Sequence, residues 1–130
     1  MTSLFAIFTS IKEVDGSVQT AIIVDDNRGM RETLRNIITD YVSVVAECED
    51  GSEIVESYRI HHPDWVFMDI SMKNVDGVTA TKLLTKEFPE AKVIMVSNYE
   101  DEEIKRMTEL AGSIGFIQKE KLQNIRNYFI

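Results

Sequence analysis

Short apolar runs that each end abruptly on a polar residue are the feature that most constrains the fold of this chain. The clearest run is Trp65–Met68, which ends on Asp69 and then breaks into a loop. Such a run is typical of a strand buried on both faces of a parallel sheet. The polar residues that end four of these runs are Asp25, Asp26, Asp69, Ser97 and Lys119. Because the carboxyl ends of parallel strands gather at one edge of a sheet, we expect these residues to form one site.

Segments with helical periodicity separate the apolar runs. The first of them carries apolar residues at Met30, Leu34, Ile37, Ile38 and Tyr41. Strands are predicted at residues 20–24, 42–46, 65–68, 92–96 and 114–118. Helices are predicted after Asn27, over residues 53–60, from Gly77, from about Asp101 and from about Glu120. Five strands that alternate with five helices predict an α/β fold, a parallel sheet covered on both faces with right-handed crossovers.

Length, charge and cysteine content narrow the class of protein. A chain of 130 residues is expected to form one domain with a real core, and we expect no second domain after the last helix. The net charge of -8 argues against direct binding to nucleic acid. The single cysteine, Cys48, suits a reducing cytoplasm and is expected to be a small apolar residue rather than a reactive thiol. No apolar run approaches the ~18–20 residues of a membrane span, so we expect a cytoplasmic protein.

Residues 1–19 precede the periodic part and allow two interpretations. The apolar segment Leu4–Phe8 is followed by Asp15-Gly16, a hairpin-type turn signal. The segment could therefore form an extra strand that folds back on the domain, or it could be a poorly ordered tail. The sequence favours neither.

The predicted site combines three carboxylates with a hydroxyl and an ammonium group. Asp25, Asp26 and Asp69 would repel one another at close range, and a hard cation relieves such repulsion. We expect Mg²⁺, because it takes oxygen ligands and keeps several waters, which leaves room for a phosphoryl oxygen. Asp69 could then act as a nucleophile toward phosphorus. Lys119 and Ser97 would supply a positive charge and a hydrogen bond to the other phosphoryl oxygens.

In combination, these residues resemble the receiver domain of two-component response regulators. The resemblance covers about Thr20 to Ile130, and residues 1–19 would be an N-terminal extension. Its marks are the Asp25-Asp26 pair, Asp69, Met72, Asp76-Gly77, Ser97 and residues 115–119. The resemblance implies a doubly wound, flavodoxin-like sheet of five strands in the order 2-1-3-4-5.

The resemblance also implies a phosphorylation reaction and its partners. A sensor histidine kinase or a histidine phosphotransfer protein would donate a phosphoryl group to Asp69 in a Mg²⁺-dependent step. The implied metal ligands are Asp26, Asp25 (mainly through water), Asp69 and the backbone carbonyl of Ser71. Ser97 and Phe116 would be the switch pair, with the hydroxyl moving to the phosphoryl group and the ring turning inward behind it. The domain would catalyse only its own phosphorylation and dephosphorylation, so it would not be an enzyme in the usual sense.

The signal would leave the domain by protein contact. The downstream target is not identified by the sequence, and neither are the kinase and the stimulus. We expect no direct contact with nucleic acid or membrane, and a monomer or weak homodimer. A shortened version of a longer regulator is also compatible with the sequence.

Three residues depart from the family pattern. Lys73 stands where proline usually follows the methionine, Glu120 stands where proline often follows the lysine, and Asn98 stands where a small residue is usual. None of the three removes a chemical group that the reaction needs. Because a non-proline cis bond costs roughly 2.5–4 kcal/mol, we predict that the Lys119–Glu120 bond is trans.

The resemblance implies that the positions of Ser71 and Tyr99 tune hydrolysis of the phosphorylated state, and Asn98 precedes Tyr99 in the chain. Ser71 is too short to orient an attacking water, Tyr99 is bulky and lacks a carboxylate, and Asn98 crowds the same entrance. The combination predicts slow loss of the phosphoryl group.

Other functions fit the sequence less well. A phosphatase of the haloacid-dehalogenase type would need a second acid where Ser71 stands, and a dinucleotide-binding module would need a glycine-rich turn after the first strand. The serious alternative is an interaction module with a receiver fold that signals without phosphate. The complete acid cluster argues against it.

Overall fold

The central sheet contains five parallel strands in the described part of the chain. The computed structural model describes residues 13–14, 17–99 and 101–129. The strands are β1 (Thr20–Val24), β2 (Ser43–Cys48), β3 (Trp65–Asp69), β4 (Val93–Ser97) and β5 (Gly115–Gln118). Their order across the sheet is β2-β1-β3-β4-β5. The predicted α/β class and the order 2-1-3-4-5 are therefore confirmed.

Four α-helices and a longer 3₁₀ segment connect and cover the strands in the described residues. The helices are α1 (Arg28–Ile38), α2 (Ile54–His61), α3 (Gly77–Glu87) and α4 (Glu102–Ala111). A short 3₁₀ turn, Gly51–Glu53, precedes α2. Gly112 ends α4 in a left-handed conformation, with φ of 111°. Within the described residues no helix combines the length and the apolar character that crossing a bilayer requires.

The fifth predicted helix is of the 3₁₀ type. It spans Lys119–Tyr128 and is interrupted at Lys121, whose φ and ψ are -121° and 37°. Leu122 and Ile125 are its buried residues. Their spacing of three matches the 3₁₀ repeat, which brings both side chains to one face.

Two apolar clusters lie on opposite faces of the sheet. Alternate strand residues such as Ile23 and Phe67 belong to one cluster, and their neighbours Ile22 and Met68 belong to the other. Because strand side chains alternate between faces, both faces are covered, as the continuous apolar runs predict. Cys48 lies in one of these clusters, where burial raises the pKa of its thiol to about 11.

Helix starts are fixed by side chains in the loops at the carboxyl edge of the sheet. The Asn27 side chain accepts a hydrogen bond from Met30 N at 2.9 Å and so caps α1. Asp76 caps α3 by accepting from Thr79 N at 2.8 Å. Such caps satisfy backbone N–H groups that a helix leaves unpaired. They set where each loop ends and therefore how the site residues within it are held.

The edge strand β2 runs two residues past the predicted end at Ala46. Glu47 pairs with Ile23 and Cys48 pairs with Val24, after a register shift between Ala21 and Ile22. Glu47 interrupts the apolar run on which the predicted strand rests. The charge of Glu47 is compatible with a strand because Arg31 and Arg35 bond to it.

Short strands lie on either side of the predicted N-terminal turn. Glu13–Val14 and Ser17–Val18 pair antiparallel, in a two-stranded sheet separate from the main one. This pairing agrees with the hairpin signal of Asp15-Gly16. The apolar segment Leu4–Phe8 lies outside the described residues, and the division of the chain after residue 19 stays a prediction.

Candidate functional site

Strand register brings the predicted site residues to one edge of the sheet. Val24 of β1 lies opposite Met68 of β3, so Asp25 and Asp69 leave adjacent strands side by side. Ser97 ends β4 and lies opposite Gln118, the residue before Lys119. The carboxyl edge therefore gathers the acids, the hydroxyl and the ammonium group that the sequence predicts to meet.

Three carboxylates form a cluster at this edge. One oxygen of each of Asp25, Asp26 and Asp69 lies within 4.8 Å of the others. Asp25 is fully buried and Asp69 is 5% exposed, whereas Asp26 is exposed to solvent. This acidic pocket is thus buried at Asp25 and Asp69 and open to solvent at Asp26.

Asp25 is held through all but one of its polar atoms. Its N–H donates to Cys48 O at 3.0 Å, and its Oδ1 accepts from Asn27 N at 2.8 Å. Its carbonyl oxygen accepts from Nη1 of Arg31 at 2.8 Å. Among the described residues, its buried Oδ2 has no hydrogen-bond donor. One well-positioned oxygen is therefore left for a ligand.

Lys119 links the two buried acids. Its Nζ lies 3.3 Å from Asp25 Oδ2 and 3.1 Å from Asp69 Oδ1, and its side chain is 11% exposed. The first contact is an ion pair without hydrogen-bond geometry. Burial lowers the pKa of Lys119, but the charges of Asp69 and Asp25 together raise that pKa by more than burial lowers it. The net shift of the Lys119 pKa is therefore upward. Lys119 therefore stays cationic near neutral pH.

Asp69 is harder to ionise than an ordinary aspartate. Burial raises its pKa, the nearby Asp25 charge raises it further, and Lys119 offsets part of the rise, which leaves a pKa of about 6. Two buried acids with only one ammonium between them retain excess negative charge. A buried oxygen that has no hydrogen-bond donor in the described part of the chain, within a cluster of three carboxylates, fits a hard divalent cation such as Mg²⁺, which would balance that charge.

The remaining predicted residues surround the pocket. Ser97 is 3% exposed, and its Oγ accepts from Tyr99 N at 3.1 Å. Tyr99 is 64% exposed, and Asn98 and Ser71 are also exposed. The predicted roles of these residues in switching and hydrolysis stay predictions.

The other predicted switch residue, Phe116, lies half-buried on β5. Its ring packs against one of the two core clusters. The ammonium of Lys105 is 5.6 Å from the centre of the ring. Phe116 is thus in contact with both the core and a charged surface residue.

Sequence reasoning missed the structural importance of Asp50. Its carboxylate accepts from Asn74 N at 2.9 Å, from Ser52 N at 2.9 Å and from Val75 N at 3.2 Å. These bonds lower its pKa to about 2, the bond from Asn74 contributing most. Asp50 thereby ties the β2–α2 loop to the loop after Asp69, in which Lys73 replaces the usual proline. The sequence suggested only a turn at Asp50-Gly51-Ser52, because this long-range contact leaves no local pattern.

Sequence reasoning also missed Arg31, although a signal was present. Arg31 lies three residues before Leu34 and seven before Ile38, on the buried face of α1. A charged residue within an apolar stripe needs a partner in the interior.

The Lys119–Glu120 bond is trans, as predicted. No cis peptide bond occurs in the described residues. The replacement of the usual proline by Glu120 therefore leaves an ordinary backbone at the start of the 3₁₀ segment.

The fold and site define a class of protein: a flavodoxin-like α/β domain with an acidic, lysine-bearing pocket at its strand ends. The family model for the response regulator receiver domain matches residues 21–129. The chemotaxis protein CheY of Bacillus subtilis is 38% identical over 99 residues, which are 75% of this chain and 82% of that protein. CheY of Halobacterium salinarum is 37% identical over 98 residues, with 75% and 82% covered. The chain therefore belongs to the response regulator receiver domain family, which consists of signalling proteins.

Other matches include longer proteins and solved structures. The transcriptional regulatory protein DegU of Brevibacillus brevis is 36% identical over 101 residues, which are 76% of this chain but only 43% of DegU. CheY in the CheX-CheY-BeF3-Mg+2 complex from Borrelia burgdorferi is similar in structure, with a TM-score of 0.83 and 28% identity, over 94% of this chain and 97% of that one. The response regulator domain of Thermotoga maritima CheB has a TM-score of 0.72 and 37% identity, over 80% of each chain.

Proposed function

We propose that this domain is a cytoplasmic phospho-acceptor that a histidine kinase or a histidine phosphotransfer protein phosphorylates on Asp69. The observation that supports this most is the buried Asp69 carboxylate, 3.1 Å from Lys119 and clustered with two further acids. Phosphorylation would change the surface that a downstream protein binds. The solved CheY structure with BeF3 and Mg²⁺ makes a metal at this pocket a consistent part of the proposal.

The residues of the pocket can carry out this transfer. With a pKa of about 6, Asp69 is mostly ionised at neutral pH and able to attack phosphorus. A new bond forms between a carboxylate oxygen and phosphorus while the bond from phosphorus to the donor's imidazole nitrogen breaks, and the imidazole leaves. Lys119 stays beside the reacting oxygens and stabilises their charge. Asp25, Asp26, Asp69 and the Ser71 carbonyl would hold Mg²⁺, which when bound would neutralise phosphoryl oxygens.

Ser97 and Phe116 would transmit the change. The Ser97 hydroxyl accepts a bond from Tyr99 N, and the same hydroxyl can donate its proton to a phosphoryl oxygen. Movement of Ser97 toward the phosphoryl group would open space for the half-buried Phe116 ring. The resulting surface change lies around β4 and β5.

Phosphorylation by acetyl phosphate tests the proposal. Wild-type protein incubated with acetyl phosphate and Mg²⁺ is expected to gain the mass of one phosphoryl group, and Asp69→Asn is expected to gain none. Asp26→Ala should also gain none, because it removes a metal ligand. Exposed Asp40, outside the cluster, provides a matched control as Asp40→Asn. Absence of any mass gain with acetyl phosphate and with a cognate kinase would instead favour an interaction module that works without phosphate.

The phosphorylated state is expected to decay slowly. Ser71 and Asn98 are exposed beside the pocket, and neither they nor Tyr99 provides a carboxylate that could activate water. Positioned proton transfer is typically worth ~10²–10⁴ in rate, so its absence prolongs the phosphorylated state. Decay of phosphorylated wild type would be followed beside Tyr99→Glu and Ser71→Asn, which should shorten the half-life. Unchanged or longer half-lives in both variants would show that this entrance does not control hydrolysis.

A further inference from the structure

Arg31 is a buried arginine on the core-facing side of α1. It is 8% exposed, and the buried residues of the same helix are Leu34 and Ile38. A guanidinium in such a place is unfavourable unless it is paired and hydrogen-bonded. The proposed phosphoryl transfer does not by itself require an arginine there.

The guanidinium joins three parts of the fold. Nε donates to Glu47 Oε1 on β2 at 3.0 Å, and Nη2 lies 3.5 Å from Glu49 Oε1. Nη1 donates to the carbonyl oxygen of Asp25 at 2.8 Å. The planar fork therefore connects α1 and the end of β2 to the loop that carries the acid pair.

The bond to the Asp25 carbonyl acts on both acids of the pair. That carbonyl belongs to the peptide group whose nitrogen is that of Asp26, and a peptide group is planar. A donor that holds its oxygen therefore restrains the peptide plane to which the Cα atoms of both residues are attached. With Asp25 Oδ1 engaged by Asn27 N, Oδ2 is left directed toward Lys119 and Asp69.

We propose that Arg31 is a positioning residue for the acid cluster, setting the orientation of Asp25 and Asp26 through their shared peptide group. The proposal rests on the function proposed above and names a residue outside the reacting groups. Glu47 and Glu49 balance much of the guanidinium charge. Arg31 therefore affects the acid pair mainly through its hydrogen bond to the Asp25 carbonyl and less through its electrostatic field. Loss of the Arg31 guanidinium would let the Asp25–Asp26 peptide group rotate, and the two carboxylates would then move apart.

A comparison of Arg31→Met with Arg35→Met separates positioning from general stability. Arg35 is the matched control, since it bonds to the same Glu47 one turn along α1 and, within the described residues, makes its side-chain hydrogen bonds to Glu47 and not to the acid pair. We expect Arg31→Met to raise the Mg²⁺ concentration for half-maximal phosphorylation about tenfold, as loss of a residue that orients metal ligands typically does. Arg35→Met should leave that concentration within twofold of wild type even if it lowers the melting temperature.

Arg31→Lys tests whether the charge or the fork matters. One ammonium cannot bond to Glu47 and the Asp25 carbonyl in the same fork geometry, so we expect Arg31→Lys to stay impaired at least threefold. It also serves as the deciding variant if Arg31→Met fails to fold. If the Mg²⁺ concentration for half-maximal phosphorylation stays within twofold of wild type in every folded Arg31 variant, the proposal is overturned and Arg31 is a purely structural residue.

Amide resonances provide a readout that does not depend on phosphorylation. In metal-free protein, the Asn27 amide donates to Asp25 Oδ1, and its chemical shift and hydrogen exchange report the loop conformation. Arg31→Met and Arg31→Lys should change that resonance and weaken Mg²⁺ titration shifts of residues 25–27, whereas Arg35→Met should not. Failure of wild type to take up phosphate would reject the proposed function alone. Unchanged Asn27 resonances and Mg²⁺ titrations in the Arg31 variants would reject the role of Arg31 alone.

Discussion

Replacement of Asp26 and Asp69 together by asparagine is expected to raise the melting temperature in metal-free buffer at pH 7. Burial and the Asp25 charge raise the pKa of Asp69 from the ordinary value of 3.8 to about 6. Because the folded-state pKa is the higher one, ionisation of Asp69 costs stability as the pH rises through this window. A shift of two pKa units corresponds to roughly 3 kcal/mol, or on the order of 10 °C in melting temperature. Loss of the Asp26 charge should add to the effect.

Thermal unfolding at two pH values measures this effect. With a chelator present, the difference in melting temperature between the double variant and the wild type should be large at pH 7. This difference in melting temperature should nearly vanish at about pH 4, because Asp69 is then protonated in the folded wild type. Added Mg²⁺ should also narrow the difference, because only the wild type gains a bound cation. Asp40→Asn, at an exposed acid outside the cluster, should shift stability by less than about 0.5 kcal/mol. A lower melting temperature for the double variant at pH 7 would contradict mutual repulsion in the cluster.

Substitution of Gly77 by alanine is expected to destabilise the protein by about 3 kcal/mol or more. A Cβ at this position would lie 2.1 Å from the backbone oxygen of Asp69 and 2.9 Å from Ile70 Cα. Both contacts are with main chain, which cannot rotate away, so α3 or the end of β3 has to shift. The Gly77 N–H also donates to Ile70 O at 2.7 Å, and this bond should weaken. Urea unfolding gives the change in free energy.

Gly29→Ala is the matched control for that measurement. A Cβ on Gly29 would meet the Asn27 side-chain oxygen at 3.2 Å, a contact that a small side-chain movement can relieve. Alanine also favours a helix over glycine by up to ~1 kcal/mol, so Gly29→Ala should stay within about 1 kcal/mol of wild type. Equal stability of the two variants would mean that the end of β3 yields easily to the added methyl group.

The positions of the site residues could be predicted because they depend on local pattern and on strand direction. The apolar run Trp65–Met68 indicated a buried strand, and Asp69 had to follow it at the carboxyl edge. The same reasoning located Ser97 and Lys119 at the ends of neighbouring strands. Identification of the strand order additionally required the family resemblance, since alternation of strands and helices permits several orders.

Features that depend on contacts between distant segments could not be predicted. Asp50 contacts Asn74 across 24 residues, and Arg31 contacts Glu47 across 16. The 3₁₀ form of Lys119–Tyr128 depends on packing of Leu122 and Ile125 against the sheet, which tertiary structure decides. In each case the sequence contains both residues, but no local pattern indicates which distant residue is the partner.

The bonds that Asp50 makes have a consequence for the order of events during acid titration. Asp50 has a pKa of about 2, so its contribution to stability is present above the ordinary pKa of 3.8 and is lost only as the pH falls through about 2. Asp69, with a pKa of about 6, becomes protonated much earlier. Between about pH 7 and pH 5, Asp69 should therefore lose its charge while the two loops around the site remain joined. A mildly acidified domain would keep the shape of its site with Asp69 in its neutral form, and return to neutral pH would restore the Asp69 charge without refolding.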